Sequence, residues 1–429
     1  MYDQNATSPS GHDDAGKIPA GRVGAKAGIF PASHGDIVTC KLVTDGEGNL
    51  KAVSDGGRVL GIFTKSQVIH GLQGFQRSND FLLQDQSAKL LPKERVCNCL
   101  KKRIDKQKQR EAKYNENRKK AHYANVQRCG SIWSCPVCAK QITEKRRVEL
   151  KKGLETWKNV HRGSVMLLTL TFSHSQSESL KSLLERQRKA YKIFLETTKV
   201  KEIFKHFGVK YKIRSLEATY GQNGWHPHFH VLLLGYFKVE DLMYRDLLSE
   251  LWIKSCVRAG LNAPSMTHGL DLRDGTYADQ YVSKWGIESE LTKGHVKKGR
   301  NGGYTPFDLL QFSMYNESVF EKDCGKLFQE FAISMKGARQ LVWSRGLKAL
   351  LQIEEKSDEE LAEETEKDSI TLRTIDDFIF SLICHYQMRW EFLRCLERDY
   401  ENGCFGTGET EQLLIDILEK EHIRLGIAS

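Results

Sequence analysis

Polar and apolar side chains alternate one by one through Tyr211–Tyr220 (YKIRSLEATY), the period-two pattern of a strand with one packed face and one open face. The stretch Trp225–Gly235 (WHPHFHVLLLG) alternates first and then becomes continuously apolar, as a strand does on entering a core. Between them stand Gly221, Gln222, Asn223 and Gly224, a turn-rich connection, so the three pieces predict a β-hairpin. Pairing outward from Tyr220 opposite Trp225 sets Glu217 opposite His228. A slip of one residue would turn Glu217 to the other face.

The same alternation puts His226, His228 and His230 on one face of the second strand and Phe229, Val231 and Leu233 on the other. Imidazole is the commonest metal ligand near neutral pH, and residues two apart on a strand converge without a chain reversal. With Glu217 beside them, His228 and His230 form an oxygen–nitrogen set suited to Mg²⁺ or Mn²⁺ with waters, or to Zn²⁺. Residues 274–286 (DGTYADQYVSKWG) have helical spacing instead. Thr276 caps this expected helix, Asp279 stands three residues on, and Gly286 closes it. Tyr277, Tyr281 and Lys284 share one face, while Ala278, Val282 and Trp285 supply an apolar one. A phenol with a pKa near about 10 is a poor nucleophile, and a neighbouring ammonium such as Lys284 favours the phenolate or binds the phosphate under attack.

Composition adds bounds. A chain of 429 residues, 40% hydrophobic, buries a substantial core and divides into two or three domains. The net charge of +10 points to a polyanionic partner and is unevenly spread. Lys101–Lys120 holds ten Lys/Arg against three Asp/Glu and reads as a helix tracking phosphates. Residues 353–368 hold nine acids against Lys356 and Lys367, and read as a linker or exposed helix leading to a separate C-terminal piece. From Thr374 to Glu421 the pattern is helical, suited to homodimer formation or host contacts.

The 11 cysteines come without a signal peptide, which points to the reducing cytoplasm and to metal rather than disulfide. No apolar run approaches the length of about 18 residues that a membrane span needs. Cys135-Pro-Val-Cys138 has zinc-knuckle spacing, Cys129 lies just upstream, and Cys99 or Cys97 completes a tetrahedral set for structural Zn²⁺, with His122 as a weaker fourth ligand. Gly11–Lys17 mimics a phosphate-binding loop but lacks the following Ser/Thr and has Pro19 where a helix should run. The chain therefore carries no visible ATP motor.

HPHFH at 226–230, followed later by YVSKW at 281–285, resembles the HUH endonucleases, and within them the rolling-circle replication initiators (Rep proteins) of small bacterial plasmids. Met166–Phe172 (MLLTLTF), Glu288–Leu310 and Gln340–Leu347 (QLVWSRGL) resemble further motifs in the family's order, so the likeness runs from about Cys97 to Leu351. It implies that His228, His230 and Glu217 bind the catalytic Mg²⁺ or Mn²⁺ and that Tyr281 attacks DNA, with His226 just outside the pair. Some members carry a glutamate one turn before the tyrosine; Tyr277 stands there instead, leaving it open as a second nucleophile or Asp279, Glu288 or Glu290 as the water-activating acid.

The expected fold is α+β: a central antiparallel sheet with the histidine strand in its middle, helices on its back, a tyrosine helix across its metal face, a small zinc-binding region and a helical C-terminal extension. The expected boundaries are a disordered tail at 1–34, a small β-rich region at 35–90, a zinc-binding and basic region at 91–150, the nicking domain at 151–352, and an acidic linker with a helical region at 353–429. The implied partners are DNA, as a replication origin and its single-stranded nick site, with a host helicase and DNA polymerase. Two rivals share features: a two-tyrosine single-strand transposase, and a zinc-dependent DNA-binding regulator whose nuclease site has decayed.

Overall fold

The computed structural model describes residues 80–276, 278–279, 303–363, 369–404 and 406–426, together with four strands between residues 26 and 63. The chain divides into two units, Met1–Gly71 and Leu72–Ser429. In the first, β1 (Lys26–Pro31), β2 (Ile37–Thr44), β3 (Leu50–Ser54) and β4 (Val59–Phe63) form an antiparallel meander. β1 falls inside the stretch expected to be a disordered tail, so regular structure begins earlier than composition suggested.

The second unit is built on a five-stranded antiparallel sheet. Its order is β10 (Leu270–Arg273), β7 (Ser164–Leu170), β9 (Gly224–Gly235), β8 (Tyr211–Gly221) and β13 (Leu341–Trp343). β9 is the central strand and carries the histidines. Leu216, Phe229, Val231 and Leu233 belong to the larger core, which α3 (Leu180–Glu196) and α5 (Arg245–Arg258) cover with Leu183, Leu184, Phe194 and Trp252. Ile213, Leu232 and Leu234 lie on the opposite, front face, in a second core with Leu150, Leu154 and Trp157 of α2 (Pro136–Asn159). The continuous apolar run at 231–234 is thereby explained: this half of β9 is buried on both sides.

The basic stretch at 101–120 is not a helix. It contains β5 (Arg110–Asn115) and continues into β6 (Lys120–Ala124), an antiparallel pair whose Ala112, Tyr114, Ala121 and Tyr123 are buried at period-two spacing. The turn between them is fixed locally: Asn115 Oδ1 accepts from Arg118 N at 3.0 Å, and Lys119 takes a positive φ of 49°. Nor does the C-terminal piece stand apart. β14 (Ser369–Ile375) pairs with β5 to make the three-stranded sheet β14-β5-β6. The acidic run before it includes a short helix, Asp358–Glu363, held to α2 by Arg146 Nη2–Asp358 Oδ1 at 3.0 Å and Lys145 Nζ donating to Leu361 O at 2.6 Å.

Arg389, only 1% exposed, opens the helix Arg389–Asn402 and locks it to the helix at residues 80–90. Its guanidinium donates to Gln84 Oε1 at 2.7 Å and Asp85 Oδ1 at 2.9 Å, and lies over the Phe81 ring. Tyr123 Oη donates to the Arg389 carbonyl at 2.7 Å, tying in β6. Asp85 also pairs with Lys101 at 2.8 Å and keeps that partner when Arg389 is removed, so the loss is that of the buried hydrogen bonds and ring packing rather than of the whole charge balance. Arg389→Met should therefore cost about 2–3 kcal/mol in urea denaturation, whereas Arg394→Met on the outer face of the same helix should cost under about 1 kcal/mol.

Candidate active site and metal centres

The β8–β9 pairing fixes what the front face presents. Gly221 pairs with Gly224 across the turn, Tyr220 with Trp225, and Glu217 with His228, the register expected from the sequence. Gly224 holds φ at +86°, and a Cβ there would come within 2.9 Å of Gln176 Cα, so only glycine fits without strain. Ser215 and Thr169 flank His230 from the two neighbouring strands.

Glu217, His228 and His230 each bring one ligand atom to within 4.8 Å of the others. Glu217 Oε2 lies 3.5 Å from His228 Nε2 and 3.6 Å from His230 Nε2. Ligands about 2.0–2.2 Å from a divalent ion sit roughly 3.0–3.5 Å apart, so the three donors fit a single ion with little movement. Their other ring nitrogens are engaged: His230 Nδ1 with Thr169 Oγ1 at 3.0 Å, and His228 Nδ1 with the His226 carbonyl at 3.2 Å. A carbonyl only accepts, so His228 carries its proton on Nδ1 and offers the Nε2 lone pair toward Glu217. Burial pushes His230 down to about 4, with Glu217 opposing and His228 adding to the fall. It is neutral at neutral pH, and loading an ion there displaces no proton.

His226 behaves differently. Burial first, then His228 and His174, push it down to about 3. Its Nε2 is buried without a hydrogen-bond partner, and its ring packs 4.8 Å from that of His174. It stands outside the three-ligand group.

Tyr277, Tyr281, Lys284, Glu288 and Glu290 lie outside the described residues. Their approach is described. Residues 275–276 and 278–279 are helical, and the start is capped by Asp274, whose Oδ1 accepts from Thr276 N at 2.9 Å. Thr276, the expected cap, is thus already inside the helix, because an aspartate at 274 reaches the free amide two residues on. Asp279 does not reach back in a capping box but pairs with Lys158 at 2.5 Å. Ala278 is fully buried in the front-face core with Val165, Leu167 and Trp157.

Cys99, Cys129, Cys135 and Cys138 form a second group, all buried. Their sulfurs lie 3.5 Å (99–138), 3.7 Å (129–138) and 3.8 Å (135–99) apart. A tetrahedron with Zn–S bonds of about 2.3 Å has edges of about 3.8 Å, so this donor set fits zinc. Cys97 is excluded, since its thiol turns to the Leu91 carbonyl at 3.0 Å, and His122 is not in the group. Backbone amides of Cys129 and Cys138 point at Cys99 Sγ (3.4 Å) and Cys135 Sγ (3.5 Å), and Gln84 Nε2 donates to Cys135 Sγ at 3.1 Å. Burial, and then the Cys129 thiol, hold Cys135 well above the thiol range. Hydrogen bonds from Cys129, Cys135 and Cys99 hold Cys138 well below it. Four crowded thiols cannot all ionise alone, and a divalent cation removes that conflict.

Sequence reasoning passed over Thr169, although it stands in the apolar stretch 166–172, and over Gln84, for which nothing local signals a role. No helix among the described residues is long and apolar enough to cross a membrane.

A family profile described as "Replication protein" matches residues 120–391. The chain is similar to "Protein rep" of Streptomyces lividans, 25% identical over 297 residues, covering 53% of this chain and 64% of that protein. It is also similar to "Protein rep" of Staphylococcus aureus, 29% identical over 101 residues (23% of this chain, 42% of that protein). A "Neomycin resistance protein" of Streptomyces cyanogenus is 26% identical over 132 residues, 25% of this chain and 30% of that protein. The chain thus spans less than two thirds of the length of these relatives. No solved structure matches it.

The cysteine group carries its own test. Elemental analysis of the purified chain should find about one zinc held by the four thiolates. Cys135→Ser should lose it and lower the melting temperature by at least about 5 °C. A zinc-free wild-type chain would return the group to buried thiols.

Proposed function

The chain belongs to the replication protein family, and from that membership we propose that it initiates rolling-circle replication of a plasmid or similar element by nicking and rejoining DNA at a specific site. The observation that carries the reading is the convergence of Glu217 Oε2, His228 Nε2 and His230 Nε2 on the front face of the central hairpin.

Glu217, His228 and His230 would hold a Mg²⁺ or Mn²⁺ ion, which supplies charge neutralisation at a non-bridging oxygen of the scissile phosphate. Thr169 fixes the His230 ring, and the His226 carbonyl keeps the His228 proton on Nδ1, so both imidazoles stay oriented as the substrate arrives. The attacking group in this reading is the Tyr281 hydroxyl. Its oxygen bonds to phosphorus and gives up its proton, the bond from phosphorus to the 3′ oxygen breaks, and that oxygen takes a proton. The products are a 5′-phosphotyrosyl link and a free 3′-hydroxyl, with the phosphodiester energy retained for rejoining. The burial of Ala278 in the front-face core supports this assignment, because it anchors the segment leading to Tyr281 on the side of the sheet that bears the histidines. The structural zinc and the β5–β6 hairpin, with Lys113, Arg118, Lys119 and Lys120, would hold duplex DNA beside the sheet.

Tyr281→Phe should abolish the covalent adduct with a supercoiled origin plasmid while leaving DNA binding within about twofold, a drop in nicking of roughly 10³-fold or more. Tyr277→Phe should at most slow rejoining; equal loss in both variants would favour the two-tyrosine transposase reading. An adduct from the Tyr281→Phe protein, seen on a denaturing gel, would sink the assignment.

The ion is tested separately. EDTA should stop nicking and Mn²⁺ or Mg²⁺ restore it, and the paired substitution His228→Ala with His230→Ala should also abolish nicking and remove the Mn²⁺ binding measured by calorimetry. Undiminished nicking by that folded double variant rules the site out.

A further inference from the structure

On the back of the central sheet, away from the histidines, lies a cleft of about 530 Å³ between α3, β8 and the segment that leads into β13. Lys181 and Arg188 stand on one wall, Lys336 and Arg339 on the other, and Arg214 of β8 lines it as well. Glu185 is the single carboxylate in the lining. Arg214 is the informative residue. Its guanidinium carbon sits 4.6 Å over the Phe229 ring and 5.7 Å from that of Tyr191, and its Nε is buried with no hydrogen-bond partner. Burial lowers its ionisation range, with Tyr191 opposing and Arg188 adding to the fall. Lys181, Arg188, Lys336 and Arg339 are exposed at the rim, and Lys336 already reaches Glu94 Oε1 at 2.8 Å, so the cations left for an anion are Arg214 within the cleft and Lys181, Arg188 and Arg339 at its rim.

The lining also says what the anion is not. No aromatic ring and no amide side chain faces the cleft, which is otherwise walled by groups such as Leu184, Leu216 and Val342. Its polar groups are nearly all cations and it offers no aromatic platform, a lining better matched to phosphates than to a stacked run of bases. Lys181 and Arg188 are seven residues apart on one helix, about 10 Å along its axis, a spacing wider than one compact anion spans.

We propose that this cleft binds the phosphodiester backbone of duplex DNA, as a second contact on the face of the sheet opposite the nicking site. Arg214 and Glu217 are three residues apart on β8 and point to opposite faces, roughly 10 Å apart along the strand. The inference takes from the function proposed above only that DNA is the ligand; it does not require the nicking chemistry.

The full-length double variant Arg188→Gln with Arg339→Gln tests it, since both side chains are exposed and Arg214 is left in its packing. Fluorescence anisotropy with a duplex lacking the nick site, across a NaCl series, should show about tenfold weaker binding at low salt. The slope of log affinity against log salt should flatten by about 1.8, two phosphate contacts. The melting temperature and nicking of a short single-stranded oligonucleotide should not change. Unchanged affinity and slope would overturn the proposal. So would ATP or pyrophosphate binding that the variant loses while duplex binding persists, which would make the ligand a free phosphate compound. If wild-type protein never nicks but the duplex result is as expected, the nicking reading fails and this one stands.

Discussion

The pairing of Glu217 with His228 across the β8–β9 hairpin is the constraint on which the candidate active site depends. Side-chain direction in a strand has a period of two, so a shift of one residue would move the carboxylate to the back and destroy the three-ligand group. The register is held from both ends. At the turn, Gly224 takes a backbone conformation closed to other residues. At the far end, Leu232 and Leu234 are locked into the front-face core with Trp157 and Val165. Apolar packing at one half of the sheet thus decides where polar atoms fall at the other.

The second candidate centre is joined to the first by a single element. α2 begins at the sulfur group, where Cys135 is its N-cap and Pro136 its first residue, and ends beneath the sheet with Trp157 in the front-face core. A helix of 24 residues is about 36 Å long, and one packed at both ends acts as a strut. Its Lys158 reaches Asp279 in the segment that leads toward Tyr281. The buried Gln84, which touches both Cys135 and Arg389, extends the same frame into the C-terminal helices.

Much of this was written in local sequence. The hairpin was legible because two glycines bracket the turn and the alternation on both sides is clean. The cysteine set was legible from the Cys135-Pro-Val-Cys138 spacing, though only the packing of Cys97 against residues 88–91 decided for Cys99. The basic stretch misled, since its charge density suggested a helix that tracks phosphates. The repeated pattern of Ala112 with Tyr114, and of Ala121 with Tyr123, was the better signal, and it marks the packed face of a sheet. What could not be read is β14 on β5 and Arg389 on Gln84, because partners 254 and 305 residues apart leave no periodic trace.

That long-range closure bears on how the chain is made. β5 sits between β6, its immediate neighbour in sequence, and β14, which leaves the ribosome only after the whole central sheet has been synthesised. Until then one edge of β5 is unpaired and the Arg389 pocket is empty. Strand pairing across so much chain is slow, because the entropy of closing the loop is spent before any contact forms. Synthesis of this protein therefore has a long window of vulnerability, in which a chaperone covering the β5 edge would do most to raise the yield of folded chains.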